Sequence, residues 1–179
     1  LMICCESLNI PCVAFRYQNV YGPGQSLTNP YTGILSIFST RIKQQKSINI
    51  FEDGEESRDF VFIDDVVNAT ILGIEKPEAN YQVFNVGTGV ATTVLTVAET
   101  LMRNYGIQIP LEISGQYRKG DIRHNFADIS LIKEKLGFVP SVDFETGLKL
   151  FCNWVNQQSP AEDRYEQSLS ELKSKGLMK

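Results

Sequence analysis

The sequence predicts an α/β fold, because segments with helical and strand patterns alternate along most of its 179 residues. An apolar run, CVAF at residues 12–15, follows directly on a helix-like segment, which is typical of a buried parallel strand. Further short apolar runs are separated by stretches of helical spacing, and no repeat or low-complexity tract interrupts them. The pattern therefore indicates one α/β domain or part of one.

The first elements are a helix end, the CVAF strand and a capped helix. Residues 1–8 resemble the last two turns of a helix, and Asn9 suits the helix exit. A loop over residues 18–31 is rich in Gly, Pro and Asn, after which Thr32 can cap a helix. Apolar residues at helical spacing predict the buried face of that helix: Ile34, Leu35, Phe38 and Ile42.

Two short strands and a helix follow. Residues 48–51 and 60–63 have strand patterns, and the turn residues Asp53 and Gly54 lie between them. Asp64 and Asp65 supply the negative charge that favours a helix start. Apolar residues continue this helix at helical spacing: Val67, Ile71 and Ile74.

The remaining elements are one strand, three helices and a polar tail. Residues 81–86 predict a strand, and Thr96 with Glu99 predicts a capping box for a helix that ends near Gly106. Asp128 is expected to cap a short helix that ends at Gly137. A last amphipathic helix carries Phe144, Leu148, Phe151, Cys152 and Val155. Residues 158–179 are expected to form a peripheral tail, with Tyr165, Leu169 and Leu172 as a weak amphipathic turn.

Composition narrows the classes of protein to consider. With 42% apolar and 21% charged residues, the chain has enough material for the core of one globular domain. No apolar run is long enough for a membrane span, and no secretory leader is evident, so we expect a cytoplasmic protein without a membrane partner. A net charge of −4 with scattered Lys and Arg argues against nucleic-acid binding. The four cysteines, which contain no C-x-x-C pair, are expected to be reduced.

Two local features are weak candidates for chemistry. The segment VFNVGTGVAT at residues 83–92 resembles the start of a dinucleotide-binding turn, but its third glycine position is Thr92. We therefore interpret it as an ordinary turn in which both glycines supply positive φ. The single histidine, His124, lacks the neighbours of a metal site or a nucleophile triad, so we predict a surface or hydrogen-bonded histidine and no metal.

Two arginines in predicted loops are candidates for anion binding. Arg58 lies in SRDFVFIDDVV, and Arg118 lies in YRKGDIRH. Loop arginines can bind a phosphate through paired N–H donors, which lysine cannot imitate. Spacing alone leaves each arginine equally compatible with a surface salt bridge.

Four segments in this order resemble the extended short-chain dehydrogenase/reductase family, in its branch of NAD-dependent nucleotide-sugar epimerases and dehydratases. They are RYQNVYGPGQ at residues 16–25, SRDFVFIDDVV at 57–67, FNVGTG at 84–89 and RKGDIRHNFADIS at 118–130. The stretch LGFVPSVDFETGL at residues 136–148 resembles the closing helix-loop-helix of the same enzymes. NPYTGILSIF and ESRDFV are similar to the epimerases of dTDP-6-deoxyhexoses. The resemblance covers residues 1–157 and implies the last part of a Rossmann-type parallel sheet, interleaved with a smaller mixed α/β subdomain that binds substrate.

The resemblance also implies roles for individual residues. Tyr17 and Gln18 would lie near the nicotinamide of NAD or NADP. The remaining residues would bind a UDP- or dTDP-sugar. Asn19, Arg58 and Arg118 would hold the diphosphate, and Asp121 would hold the ribose hydroxyls. Asn49 and Phe51 would frame the base, with Asn29 as a further contact of the nucleotide. Asn125 stands where the uridine enzymes have a tyrosine, so the base is open between uracil and thymine.

Two motifs of the family do not occur in this sequence: the G-x-x-G-x-x-G cofactor turn and the Y-x-x-x-K catalytic pair. We therefore expect no catalytic residue in residues 1–179, a start just after the catalytic pair, and a carboxy-terminal half that binds the nucleotide sugar. The full-length enzyme would be a homodimer that acts at C4 of the hexose by transient oxidation. The alternatives are a non-catalytic binding or scaffold module of the same fold, and a reductase or decarboxylase of the family.

Overall fold

A computed structural model describes residues 1–27, 33–159, 163 and 165–178. The chain forms two compact units that are interleaved in sequence. Unit 1 consists of Leu1–Val20, Arg58–Ala91 and Asn125–Phe144. Unit 2 consists of Tyr21–Ser57, Thr92–His124 and Glu145–Lys179.

Helices and strands alternate, which confirms the predicted α/β class. The helices are α1 (Met2–Ser7), α2 (Ile34–Lys43), α3 (Ile63–Glu75), α4 (Val94–Tyr105), α5 (Ser130–Leu136), α6 (Phe144–Asn156) and α7 (Tyr165–Ser174), with a 3-10 turn at Pro77–Ala79. The strands are β1 (Val13–Tyr17), β2 (Asn19–Tyr21), β3 (Ile48–Ile50), β4 (Ser57–Arg58), β5 (Phe60–Phe62), β6 (Gln82–Val86), β7 (Thr92–Thr93), β8 (Leu111–Ile113) and β9 (His124–Asn125). Within the described residues, no helix has the length and apolar character required to cross a membrane.

The sheets are small. β1 pairs with β6 and β3 pairs with β8, both in parallel. β2 pairs with β5, and the two-residue strands form a sheet in the order β7, β4, β9.

Unit 1 is built on the parallel pair of β1 and β6, in which Phe15 lies opposite Phe84. The parallel strand predicted from CVAF is confirmed, although its side chains are half-buried rather than fully buried. β6 lies deeper, because Phe84 and Val86 are fully enclosed by a core that α3 and α5 help to form. The buried members of this core are Val61, Val66, Ala69, Ala79, Phe84, Val86, Ile132, Leu136 and Phe138.

Helix α3 forms as predicted, and the apolar residues noted at helical spacing lie on its exposed face. Val67, Ile71 and Ile74 are 50%, 45% and 77% exposed, whereas Val66, Ala69 and Gly73 are buried. Gly73 allows close packing, since a Cβ at this position would lie 2.3 Å from Cζ of Phe15. The small-residue face of the helix therefore packs on β1, and the apolar stripe read from the sequence lies outside the unit 1 core.

In unit 2, α2 and α4 pack together beside the pair of β3 and β8. The predicted face of α2 is confirmed, with Leu35, Phe38 and Ile42 buried and Ile34 half-buried. Gly33, at φ +92°, is the residue before the helix, while Thr32, which we predicted as its cap, lies outside the described residues.

The structure corrects one helix start and confirms two ends. α4 begins at Val94, because the Thr93 hydroxyl, and not the predicted Thr96, accepts the capping hydrogen bond, from Thr96 N at 3.1 Å. Gly106 and Gly137 end their helices in the left-handed conformation, as predicted. Asp128 accepts from Ser130 N at 2.9 Å at the start of α5.

The last helix of the chain packs into unit 2. Residues expected to form a weak turn lie in α7, a helix of 10 residues, and Tyr165, Leu169 and Met178 form a buried cluster. The Arg41 guanidinium lies 4.7 Å from the centre of the Tyr165 ring. Arg41 and Lys46 also donate to Asp163, at 3.3 and 2.9 Å. These contacts fix this part of the tail to α2 and the segment that follows it.

Candidate functional site

In unit 1, the candidate residues Tyr17, Gln18 and Asn19 lie where β1 ends. Gln18 N donates to Val86 O at 2.9 Å, which continues the pairing with β6. The Tyr17 and Thr70 hydroxyls are 2.9 Å apart. The Oε1 atom of Gln18 is buried and has no hydrogen-bond partner among the described residues. Ligands of parallel α/β sheets bind at this end of the strands, so the position fits the predicted role.

Asn19 lies beside the segment that carries Arg58. Asn19 N donates to the carbonyl oxygen of Asp59 at 2.9 Å, and Arg58 is the residue before Asp59 in the chain. The Asn19 side chain is exposed, and that of Arg58 is half-buried. The end of β1 and the S-R-D-F segment thus place two predicted substrate residues at neighbouring positions of unit 1.

Asp59 is a structural centre that the sequence analysis missed. Its carboxylate is fully buried and accepts hydrogen bonds from Thr88 N, Thr88 Oγ1, Gly89 N and Ala127 N at 2.8, 2.6, 2.9 and 3.1 Å. One side chain therefore holds together three of the segments that carry the family resemblance. The signal in the sequence is an acidic residue directly before the apolar strand FVF, where a buried charge requires several donors.

Glycine is required at the two glycine positions of the VGTG segment for different physical reasons. Gly89 adopts φ +76°, as predicted for a turn. Gly87 does not adopt a positive φ, and the prediction is wrong there. A Cβ at Gly87 would lie 2.4 Å from Asp59 Oδ2 and 2.9 Å from the Ala127 Cβ, so glycine is needed for close approach. This turn serves to bind the Asp59 carboxylate.

In unit 2, the candidate base-binding residues lie on and after β3. Asn49 is opposite Glu112 in the pairing with β8, and its Oδ1 atom is buried without a hydrogen-bond partner among the described residues. Tyr165 Oη donates to the backbone oxygen of Asn49 at 3.5 Å. Burial raises the pKa of Tyr165 to about 12, so its hydroxyl is a neutral donor at physiological pH. Phe51 is half-buried and packs against the cluster around Tyr165.

The structure brings Arg118 to Phe51. The Arg118 guanidinium lies 5.3 Å from the centre of the Phe51 ring, within range of a cation–π contact. Its Nε atom is buried and has no hydrogen-bond partner in the part of the chain that the structure describes. Asp121 N donates to Arg118 O at 3.2 Å across a tight turn, in which Gly120 has φ +80°. The R-K-G-D motif is thus one turn that presents Arg118 and Asp121 three residues apart.

The carboxy-terminal segment adjoins this turn. Arg118 forms an isolated antiparallel bridge with Met178, and Lys119 N donates to Leu177 O at 2.9 Å. The sequence analysis did not connect the tail with the candidate site. Only the spacing of Tyr165, Leu169 and Leu172 indicated a face that needs a partner.

Two other candidates were weighed in the sequence. His124 is exposed, and its Nδ1 atom is 2.9 Å from Ser57 Oγ, which confirms a hydrogen-bonded surface histidine. Asn29, a predicted contact of the nucleotide, lies outside the described residues.

Comparison with known proteins identifies several nucleotide-sugar 4-epimerases and a UDP-N-acetyl-alpha-D-glucosaminuronate decarboxylase among the similar proteins. The sequence profile of the NAD dependent epimerase/dehydratase family matches residues 3–87. A dTDP-L-rhamnose 4-epimerase from Burkholderia thailandensis is 40% identical over 148 residues, which are 83% of this chain and 40% of that protein. The crystal structure of UDP-glucose 4-epimerase from Thermotoga maritima with UDP-glucose is 38% identical, with a TM-score of 0.78 over 86% of this chain and 48% of that one.

A third relative was solved with a cofactor. UDP-glucuronic acid 4-epimerase from Bacillus cereus, in complex with UDP-glucuronic acid and NAD, is 26% identical with a TM-score of 0.76. The match covers 87% of this chain and 48% of the enzyme. The chain therefore spans less than half the length of each of these three relatives.

Proposed function

We propose that this chain belongs to the NAD dependent epimerase/dehydratase family, whose profile matches residues 3–87, and that it binds the nucleotide diphosphate of a pyrimidine nucleotide sugar. In the whole protein, this binding would serve a sugar epimerase or dehydratase that acts at C4 of the hexose by transient oxidation. The named relatives act on a dTDP-sugar in one case and on UDP-sugars in the others, so both bases are candidates.

The observation that carries the proposal is a pair of buried polar atoms of unit 2, one of which belongs to the arginine beside the Phe51 ring. Asn49 Oδ1 is an acceptor and Arg118 Nε a donor, and both are buried without a partner among the described residues. Buried polar atoms in native proteins are nearly always hydrogen-bonded to protein, ligand or ordered water, so these two atoms are candidates for contact with a bound nucleotide. A pyrimidine offers an N–H donor at its edge for Asn49, and a phosphate offers oxygen acceptors for Arg118. Phe51, next to Arg118, offers an apolar surface for the base.

The end of β1 fits a nicotinamide cofactor in a similar way. Gln18 Oε1 is a buried acceptor without a partner in the described chain, and a carboxamide N–H group could bond to it. Tyr17, held by Thr70, lies at the adjacent position. NAD, when bound, would take up a hydride from the sugar and return it. Tyr17 and Gln18 would orient the nicotinamide ring.

Within this scheme the chain supplies the anchor for the substrate. Arg118 would hold a phosphate oxygen, and Asp121 would accept hydrogen bonds from the ribose hydroxyls. Asn19 and Arg58 stay predicted contacts of the diphosphate. Tight binding of the nucleotide end would allow a reaction at a distant sugar carbon to draw on remote binding energy. The homodimer and the cytoplasmic location also stay predictions.

Calorimetry with UDP and dTDP tests the anchor. Arg118→Ala should weaken nucleotide binding about ten- to a hundred-fold, because a hydrogen bond to a charged group contributes about 1.5–3 kcal/mol. The same range is expected for Arg58→Ala, measured separately. Arg103→Ala is the matched control, since Arg103 is an exposed arginine of unit 2 that pairs with Glu145 at 2.9 Å. Unchanged affinity in both test variants would remove the central residues of the proposed site.

The base contact is tested with a truncated ligand. Phe51→Ala should lower the affinity for UDP or dTDP, while the affinity for inorganic pyrophosphate, which has no base, should barely change. Phe51 also packs against the Tyr165 cluster. An equal loss for both ligands would therefore mean that Phe51 acts through packing and that the base lies elsewhere.

A further inference from the structure

Three carboxylates come together in the loop that follows β3. Oxygen atoms of Glu52, Asp53 and Glu56 lie within 4.8 Å of one another. All three residues belong to unit 2 and fall between the end of β3 and the start of β4. They lie next to Phe51 in the chain, but none of them has a role in the proposed nucleotide site.

Arg123 neutralises only part of this cluster. Its guanidinium donates to Glu52 Oε2 and Asp53 Oδ2, both at 2.6 Å. This hydrogen bond from Arg123 is the main reason that the pKa of Asp53 lies below its usual value. Counted over Glu52, Asp53, Glu56 and Arg123 alone, one guanidinium and three carboxylates leave two negative charges, which is the charge that one divalent cation balances.

Glu56 is the buried member of the cluster, and the nearby charge of Arg123 offsets its surroundings only in part. It is only 7% exposed, and neither of its carboxylate oxygens has a hydrogen-bond partner among the described residues. Burial raises the pKa of this carboxyl group, and the charges of Glu52 and Asp53 raise it further. A buried carboxylate without donors costs several kcal/mol, so native proteins pair it or let it bind a metal ion.

We propose that Glu52, Asp53 and Glu56 form a binding site for a hard divalent cation such as Ca²⁺. Two oxygens bound to one Ca²⁺ at about 2.4 Å each are at most about 5 Å apart, and the three carboxylates meet this limit. Carboxylate oxygens from one loop, with water in the remaining positions, suit Ca²⁺ or Mn²⁺. The side chains of Glu52 and Asp53 are 30% and 55% exposed, so an ion can reach these two carboxylates from solvent.

The bound ion would give the buried Glu56 carboxylate a partner, which it does not find among the described residues. It would also fix the loop between Phe51 and Ser57. The ends of this loop are hydrogen-bonded to a second loop, because Glu52 N donates to Gln116 O at 2.8 Å and Ser57 N donates to Arg123 O at 2.9 Å. This second loop carries Arg118. The cation site is independent of the proposed nucleotide function, because it uses different residues and needs no nucleotide.

The test is direct binding of Mn²⁺ to the purified chain. Binding is measured as the loss of the free Mn²⁺ signal in electron paramagnetic resonance, and Ca²⁺ is added as a competitor. Glu56→Gln should lower the affinity at least ten-fold. This near-isosteric change removes a buried charge, so the variant should fold, and its metal-free melting temperature should be equal to or above that of the wild type. Glu55→Gln is the matched control, since Glu55 is adjacent and exposed.

A second readout is thermal. Ca²⁺ should raise the melting temperature of the wild type and of Glu55→Gln, but not of Glu56→Gln, and a chelator should reverse the rise. The proposal is overturned by a wild type that binds no Mn²⁺ at millimolar concentration, or by Glu56→Gln that binds as tightly as the wild type. Equal losses in Glu55→Gln and Glu56→Gln would also overturn it, because the binding would then reflect the general negative charge of the loop.

Discussion

Asp59→Asn should destabilise unit 1 by about 2–4 kcal/mol, although Asp59 is not itself a predicted ligand contact. Asp59 accepts four hydrogen bonds, two at each carboxylate oxygen. In either orientation of asparagine, the amide NH₂ group faces at least one backbone N–H that the carboxylate now satisfies. Leaving one buried donor unpaired costs about 1–3 kcal/mol, and the remaining bonds lose the strength that the charge gives them. The sum is a large fraction of the stability of an ordinary domain.

Urea denaturation followed by circular dichroism measures the loss, with Asp64→Asn as control. Asp64→Asn is the same chemical change at an exposed position in the first turn of α3, where the interaction of a carboxylate with the helix dipole contributes about 0.3–1 kcal/mol. Hydrogen exchange should increase at Thr88, Gly89 and Ala127 in Asp59→Asn but not in the control. If the two variants differ by less than about 0.5 kcal/mol, the carboxylate does not hold these segments together and the account of Gly87 fails with it.

Two further predictions concern the tail and the activity of the chain. Burial alone would raise the pKa of Asp163, but bonds from Lys46 and Tyr165 N and the charge of Arg41 outweigh it and hold this pKa below its usual 3.8. The contribution of Asp163 is therefore complete above pH 3.8 and lost as the pH falls through the folded-state pKa. At pH 7, limited proteolysis should cleave α7 faster in Asp163→Asn than in the wild type. On acidification, hydrogen exchange in α7 should increase in the wild type but not in Asp163→Asn. Equal behaviour of the two proteins would contradict this prediction. Residues 1–179 alone should show no epimerase or dehydratase turnover and bind NAD weakly or not at all, and the apolar β1 edge should promote self-association. A turnover assay with size-exclusion chromatography checks both, and turnover by a monodisperse monomer would mean that a group within the chain performs the chemistry.

Several elements could be predicted from the sequence pattern because they depend on residues that are close together in the chain. The parallel strand at Val13–Tyr17, the buried face of α2 and the glycine ends of α4 and α5 all follow from residue type and spacing. The exposed face of α3 could not be predicted in this way. Val67, Ile71 and Ile74 have the right period, but the burial of Gly73 depends on the ring of Phe15, which lies 58 residues earlier in the sequence.

For the candidate site, the sequence indicated which residue types could bind an anion or a base. The structure brought Phe51 and Arg118 together and placed the tail beside them, since β3, the R-K-G-D turn and α7 meet only in the folded unit 2. Arg58 and Arg118 were equally compatible with surface salt bridges in the sequence. The burial of Arg118 Nε, which has no hydrogen-bond partner among the described residues, is a property of tertiary packing, because burial cannot be read from spacing.

The sequence by itself determined the α/β class, the order of the elements and the resemblance to a family. Hydrophobic period and turn residues act over a few positions, and the segments that carry the resemblance follow one another in the chain. Only the tertiary structure decided the roles of Asp59, Gly87 and Glu56. The carboxylate of Asp59 is satisfied by donors about 30 and 68 residues away, and that of Glu56 is buried without any in the described chain. The free-energy cost of burying a carboxylate depends on how far it is removed from water and on which charges and donors lie near it. Both are fixed only when segments distant in the sequence pack together.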